Sequence, residues 1–202
     1  MAKTNGIYCL EGFWYGTKDK TSVSPVLELL NKRRGIKTSY HRCATKAEVI
    51  CMVERWGQRT FQKDYPIIYF AAHGKENSLD FGGKWAITLD EIADLLEGKC
   101  ERAIFYFGSC ETMNGQSKYM KKFLERTNGI AAIGYKNEVD WLKSTCLEML
   151  VLDYLQDFEF YSKYIGKLEM GLKEKFKKTF KDVNLVFVAN DQWFRKSNKK
   201  AV

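Results

Sequence analysis

The chain has 202 residues, 45% of them hydrophobic and 14% aromatic, which suffices to bury one sizeable core in a single domain over residues 1–202. Two prolines, 15 glycines and no low-complexity tract exclude collagenous, mucin-like and linker-rich architectures, and no apolar run approaches the roughly 18 residues of a membrane span. The net charge of +8 is concentrated at the C-terminal end, where residues 161–202 carry 11 Lys and Arg against 4 Asp and Glu.

Gly6 to Leu10 is a short apolar run that reads as a buried strand leading into a loop at Glu11-Gly12. Ser24-Pro25 opens a helix, with Ser24 as the expected cap and Val26, Leu27, Leu29 and Leu30 as its apolar stripe, closed by Arg33-Arg34-Gly35. Ile36 to Arg42 reads as a second strand. Thr45-Lys46-Ala47-Glu48 is a capping box, in which the Thr oxygen and the Glu carboxylate satisfy each other's free amides, so a helix is predicted to about Trp56.

Pro66 to Ala72 is apolar throughout, as expected of a strand buried on both faces of a parallel sheet, and it ends at His73-Gly74. Lys75-Glu76-Asn77 reads as loop, and the stretch through Leu79, Phe81 and Trp85 to Ile87 as a short hairpin. Thr88-Leu89-Asp90-Glu91 is a second capping box, with a helix to about Glu97-Gly98. Ala103 to Phe107 repeats the buried-strand pattern and ends at Gly108-Ser109-Cys110.

A helix from about Ser117 to Arg126, a fifth strand from Ile130 to Tyr135 and a long helix from about Trp141 to Leu155 follow. Leu168, Leu172, Phe176 and Phe180 then recur at steps of four among lysines, which reads as a helix with a solvated basic face, and Val183 to Ala189 is the final strand. The expected organisation is a core over 6–156, the basic helix and last strand over 157–190, and a polar tail over 191–202. Alternation of strands and helices predicts an α/β fold with a largely parallel central sheet and helices on both faces.

Six cysteines show no CxxC and no paired-ligand rhythm, and two histidines leave little for a zinc site, so no metal is expected. Cys9, Cys51 and Cys146 lie within apolar patterns and read as buried thiols. No Walker loop, GxGxxG, HExxH or GxSxG occurs, and no cofactor is expected. His41 reads as a strand-end histidine, and the five tryptophans are too scattered for a base-stacking platform. Nucleic acid is not an expected partner, since no recognition motif accompanies the basic helix.

His73 and Cys110 are the first reactive residues after two consecutive buried strands. In open α/β sheets ligand sites lie outside the carboxyl ends of the strands, and neighbouring strands are about 4.8 Å apart. A Cys/His dyad is therefore allowed, with Cys110 as nucleophile, His73 as base and acid, and the amides of Gly74 and Cys110 as an oxyanion hole. Gly74 would let a substrate carbonyl approach the backbone, and Gly108 permits a tight turn. The alternative is a hydrogen-bonded structural histidine beside a buried thiol.

Strand-His73-Gly74, a hairpin and helix, then strand-Gly108-Ser109-Cys110 resembles the caspase-like clan of cysteine peptidases, which includes caspases, gingipains, separase and bacterial CHAT domains. The resemblance spans roughly residues 6–156. It implies a caspase-like three-layer sandwich, a peptide or protein substrate and a candidate homodimer edge in the last strand, whereas a cytoplasmic location is expected because no run is long enough for a membrane span and Met1 to Gly6 lacks the apolar stretch of a signal peptide. The segment Ile133 to Trp141 is similar to one in separase and CHAT proteins where acidic residues form a pocket for a basic side chain. On that resemblance Asp140 is the first choice for the pocket, followed by Glu138 and Glu111; Asp140 also reads as a helix cap. The start Gly6 to Trp14 resembles a family of small bacterial proteins of the same fold. The flank Gly108-Ser109-Cys110-Glu111 differs from the Gln-Ala-Cys-Arg-Gly of caspases, so aspartate specificity is not implied. The competing reading is a caspase-like scaffold that binds a peptide or signalling partner without cleaving it.

Overall fold

A computed structural model describes residues 4–83, 85–115, 117–176 and 184–192. The expected positions Phe180 and Val183 and the tail from 193 onward lie outside the described residues.

Five strands run parallel in the central sheet: β1 (Ile7–Glu11), β2 (Thr38–Arg42), β3 (Ile67–Ala71), β7 (Ile104–Gly108) and β8 (Ala131–Tyr135). The sixth, β9 (Leu185–Ala189), pairs antiparallel with β8 and forms an edge, in the order β2-β1-β3-β7-β8-β9. The strands β1, β3, β7 and β8 are buried residue for residue, which is why they read as apolar runs, broken only by Glu11 at the end of β1.

Alternate residues of each strand feed two separate cores. Ile7, Cys9, Ile67, Tyr69, Ile104 and Tyr106 face one side, covered by α1 (Ser24–Arg34), α6 (Trp141–Tyr154) and α7 (Ser162–Lys175). Tyr8, Leu10, Ile68, Phe70, Phe105 and Phe107 face the other, against α2 (Lys46–Trp56), α3 (Arg59–Asp64), α4 (Leu89–Leu95) and α5 (Ser117–Thr127). The molecule is thus an α/β three-layer sandwich. Both capping boxes form as the sequence predicts, Thr45 with Glu48 and Thr88 with Glu91. On α7, Leu168, Leu172 and Phe176 are buried while Lys163, Lys167, Lys173 and Lys175 are exposed, so its charge is a solvated face.

Three local expectations are corrected. Ser24 does not cap α1: the cap position is Val23, whose amide donates to the Glu11 carboxylate at 2.8 Å, and Ser22 Oγ accepts from the Ser24 amide at 3.1 Å. Cys51 and Cys146 are exposed, whereas Cys9 is buried. In α2 the buried stripe is Val49, Val53 and Trp56, which turns position 51 outward; in α6 Cys146 shares the outer face with exposed Leu142 and Leu150. The expected hairpin is a three-stranded antiparallel sheet, β4 (His73–Lys75), β5 (Ser78–Asp80) and β6 (Ile87–Thr88), so Lys75 belongs to a strand.

The chain steps from β1 to β2 on one side and then returns to lay β3 on the other. The order therefore reverses beside β1, and the carboxyl ends of β1 and β3 flank a topological switch point, where open sheets hold their ligands.

Candidate active site

Pairing of β3 with β7 sets Ala71 level with Gly108. Beyond these ends the chain reaches His73, the first residue of β4, and Cys110, in the turn after β7, so the two segments leave the central sheet from neighbouring strands at its carboxyl edge. Gly108 is required there, because a Cβ would lie 2.6 Å from Tyr69 Cε2 and 2.8 Å from Glu148 Oε2. The chain then turns sharply: Glu111 adopts a left-handed conformation (φ 54°), Ser109 Oγ and Thr112 Oγ1 share a 2.6 Å hydrogen bond, and Thr112 Oγ1 donates to the Cys110 carbonyl at 3.3 Å. The Met113 amide donates to Tyr135 O (3.0 Å) and the Glu111 amide to Asn137 O (3.3 Å), strapping this turn to the segment after β8.

Gly74 lies directly on that turn. A Cβ at this position would meet Cys110 O at 2.2 Å and Thr112 Oγ1 at 2.3 Å. The close approach that demands the glycine is thus between the histidine segment and the cysteine turn, rather than between the backbone and a substrate. The Cys110 amide donates to none of the described residues.

The imidazole of His73 is oriented by a backbone group. Its Nε2 hydrogen-bonds the Trp14 carbonyl oxygen, and the Trp14 indole stands edge-on to the ring at 5.3 Å. A carbonyl only accepts, so Nε2 carries the proton and Nδ1 of the neutral ring is left as an acceptor. That tautomer is the one a base needs if the thiol lies on the Nδ1 side. No hydrogen bond joins His73 to Cys110 among the described residues; the thiol is instead in contact with Val139, whose amide donates to Sγ at 3.4 Å and whose carbonyl lies 3.8 Å away.

The half-buried Cys110 thiol is pushed above its ordinary pKa, first by burial and then by the negative charges of Glu138, Glu111 and Glu148, against which the Val139 amide pulls the other way. At neutral pH the resting group is a thiol, so a base must remove its proton during attack. The acidic residues have unequal places. Glu111 and Glu138 act on the sulfur electrostatically. Asp140 is the N-cap of α6 and accepts from the Lys143 amide at 3.0 Å, as its position ahead of Trp141 predicts.

Beneath the site lies a group that sequence reasoning missed. Glu148 is 3% exposed and accepts from the Tyr69 hydroxyl; burial pushes its carboxyl up to about 7, although the hydroxyls of Tyr69, Tyr135 and Ser144 favour the charged form. Its one sequence signal is that it is the only charge between Lys143 and Asp153 in an otherwise apolar helix. The Trp14 carbonyl was missed as well, and a backbone acceptor leaves no signature in residue type. His41, as expected, is a strand histidine: Nε2 is 2.9 Å from Ser39 Oγ and the ring packs on Tyr8. Among the described residues no cluster of His, Cys, Asp and Glu is arranged to hold a metal ion. A depression of about 380 Å³ between the β4–β5 turn and α5 is lined by Glu76, Asn77, Lys118, Tyr119 and Lys122, and so lies beside the pair rather than on it.

Fold and site together define an α/β protein that presents an imidazole and a thiol from adjacent strand ends at its sheet's carboxyl edge. The profile of DUF6642, a family of unknown function, matches residues 4–184, and the chain belongs to that family. No curated protein matches the chain significantly.

Proposed function

We propose that this protein is a cysteine endopeptidase of the caspase-like kind, cleaving after basic residues. The observation that carries the reading is that the His73 and Cys110 segments leave neighbouring strands and pack together, Gly74 lying against the Cys110 carbonyl, with His73 Nε2 committed to the Trp14 carbonyl. In the proposed reaction Nδ1 of His73 takes the Cys110 proton as Sγ adds to the scissile carbonyl carbon. The oxyanion so formed is held by the Cys110 amide, with the neighbouring Gly74 amide as the second candidate donor. Collapse of the tetrahedral species breaks the C–N bond, and the imidazolium returns its proton to the leaving amine. Water, deprotonated by the same imidazole, then adds to the acyl carbon, the C–S bond breaks to free the carboxylic acid, and the imidazolium returns its proton to the Cys110 sulfur.

The preference for basic residues rests on the field around the thiol. Glu111 and Glu138 both act on Cys110, and a substrate Arg or Lys would offset that charge as it binds. The full chain should cleave fluorogenic peptides ending in Arg or Lys in preference to Asp or Leu, with turnover lost in Cys110→Ala and His73→Ala. Equal turnover in Cys110→Ala would refute the assignment.

A second reading, a scaffold that binds peptide without cleaving it, is favoured by one observation: the resting thiol contacts Val139 and makes no hydrogen bond to His73. It requires peptide affinity that persists in Cys110→Ala with no turnover in the wild type. Specific hydrolysis removes it.

A further inference from the structure

The strand β1 ends in a carboxylate buried as completely as the apolar residues before it: Glu11 is 0% exposed, level with Arg42 of β2 and Ala71 of β3. An unsatisfied carboxylate in such a place costs several kcal/mol. Here both oxygens are fully used. Oε1 accepts from Trp14 Nε1 (2.8 Å) and from the Val23 amide (2.8 Å), while Oε2 accepts from Ser22 Oγ (2.6 Å) and from the Tyr40 hydroxyl. Four neutral donors fill the capacity of an ionised carboxylate, and none of them is a cation.

Three of those donors belong to the segment 12–23, one near its start and two at its end, so the carboxylate closes this loop on itself. The fourth, Tyr40, ties the closure to β2. The loop's first turn is held further by Gly12 N to Ala71 O (2.9 Å) and Phe13 N to Phe81 O (2.8 Å). Trp14 is thereby gripped at two points: its indole N–H by Glu11, and its carbonyl by His73 Nε2. An apolar residue at position 11 would fill the same core, but it would leave the indole N–H, the Val23 amide and two hydroxyls without their acceptor.

We infer that Glu11 is a positioning residue for His73: by bracing the 12–23 loop it holds the Trp14 carbonyl where it fixes the imidazole in the Nε2–H tautomer. Its importance for turnover rests on the peptidase reading, whereas the bracing itself does not. Glu11→Gln in the full chain retains one carbonyl acceptor and sets an NH₂ group against donors.

The test is nitrogen-15 NMR of the ring nitrogens, at a pH where the imidazole is neutral. The chain has two histidines, and His41, which bonds Ser39, serves as the internal control. The wild type should show His73 as the Nε2–H tautomer, and Glu11→Gln should show a mixture at His73 with His41 unchanged. On any peptide the wild type cleaves, kcat should fall about tenfold or more through misorientation of the base, with KM nearly unchanged. A folded Glu11→Gln protein that keeps the wild-type tautomer at His73 overturns the inference. If that variant does not fold, Trp14→Phe decides: it retains an aromatic ring and the backbone carbonyl while removing the indole N–H, so the same tautomer mixture supports the bracing and an unchanged tautomer refutes it. Absence of peptidase activity in the wild type would fall on the functional proposal alone, since the tautomer comparison needs no substrate.

Discussion

Glu148→Gln tests the buried electrostatics beneath the site. In the folded protein the Glu148 carboxyl titrates at about 7, against an ordinary value of 4.5, because burial penalises its charge more than the surrounding hydroxyls favour it. Between those two values the folded state holds a proton that the unfolded chain has released. Stability from this group is therefore complete below about pH 4.5 and is lost as pH rises through about 7. Each pH step in that window removes about 1.4 kcal/mol, so about 3 kcal/mol is gone once the pH exceeds 7. Gln has nearly the same shape, still accepts from Tyr69 through its carbonyl, and never ionises. Urea denaturation at pH 5 and pH 8 should show the wild type losing about 2 to 3 kcal/mol more than Glu148→Gln over that interval. Other titrating groups are common to both proteins and cancel in the comparison. Identical pH dependence in the two would refute a buried, high-pKa carboxyl at this position.

Further outcomes follow from the geometry above the sheet. Gly74→Ala places a Cβ 2.2 Å from the Cys110 carbonyl oxygen, a backbone atom that cannot swing aside, and should cost about 1–3 kcal/mol, seen as a thermal midpoint lower by several degrees; an unchanged midpoint would contradict the packing of β4 on the cysteine turn. Iodoacetamide labelling of Cys110 should rise with pH to a midpoint above that of an ordinary thiol, and Glu138→Gln should speed labelling at pH 7 while slowing cleavage after Arg. A labelling rate unaffected by Glu138→Gln would show that this carboxylate does not act on the sulfur. Asp140→Ala should destabilise the protein by about 1 kcal/mol through loss of the α6 cap, and Asp140→Asn by a few tenths at most; equal losses in denaturant titrations would rule out capping as the role of Asp140.

The central strands were legible because parallel strands covered on both faces need apolar residues at every position, and β3 and β7 carry them without interruption. Both capping boxes were legible for a local reason, since their partners lie three residues apart. Ser24 misled because the cap position is Val23, whose amide finds its acceptor in Glu11, twelve positions away, a tertiary contact that overrides a local cap signal. Cys51 and Cys146 misled because apolar neighbours in sequence need not share a helix face. At the site, the adjacency of β3 and β7, the strands that lead to His73 and Cys110, was legible from chain order. The Trp14 carbonyl was not, being a main-chain group brought in by the fold of a loop. Glu11 and Glu148 each stand as a lone charge in or beside an apolar run, a mark of a buried carboxylate whose partners only the tertiary structure supplies.

The most direct test of the His73–Cys110 pairing is site-resolved labelling with an Arg-based acyloxymethylketone, read by mass spectrometry at every cysteine in the wild type, Cys110→Ala and His73→Ala. Cys51 and Cys146, the exposed thiols, are built-in controls for simple accessibility. Label on Cys110 alone, absent from Cys110→Ala and strongly reduced in His73→Ala, is the expected result. Label that falls on Cys51 or Cys146, or that reaches Cys110 equally well without His73, would contradict the dyad.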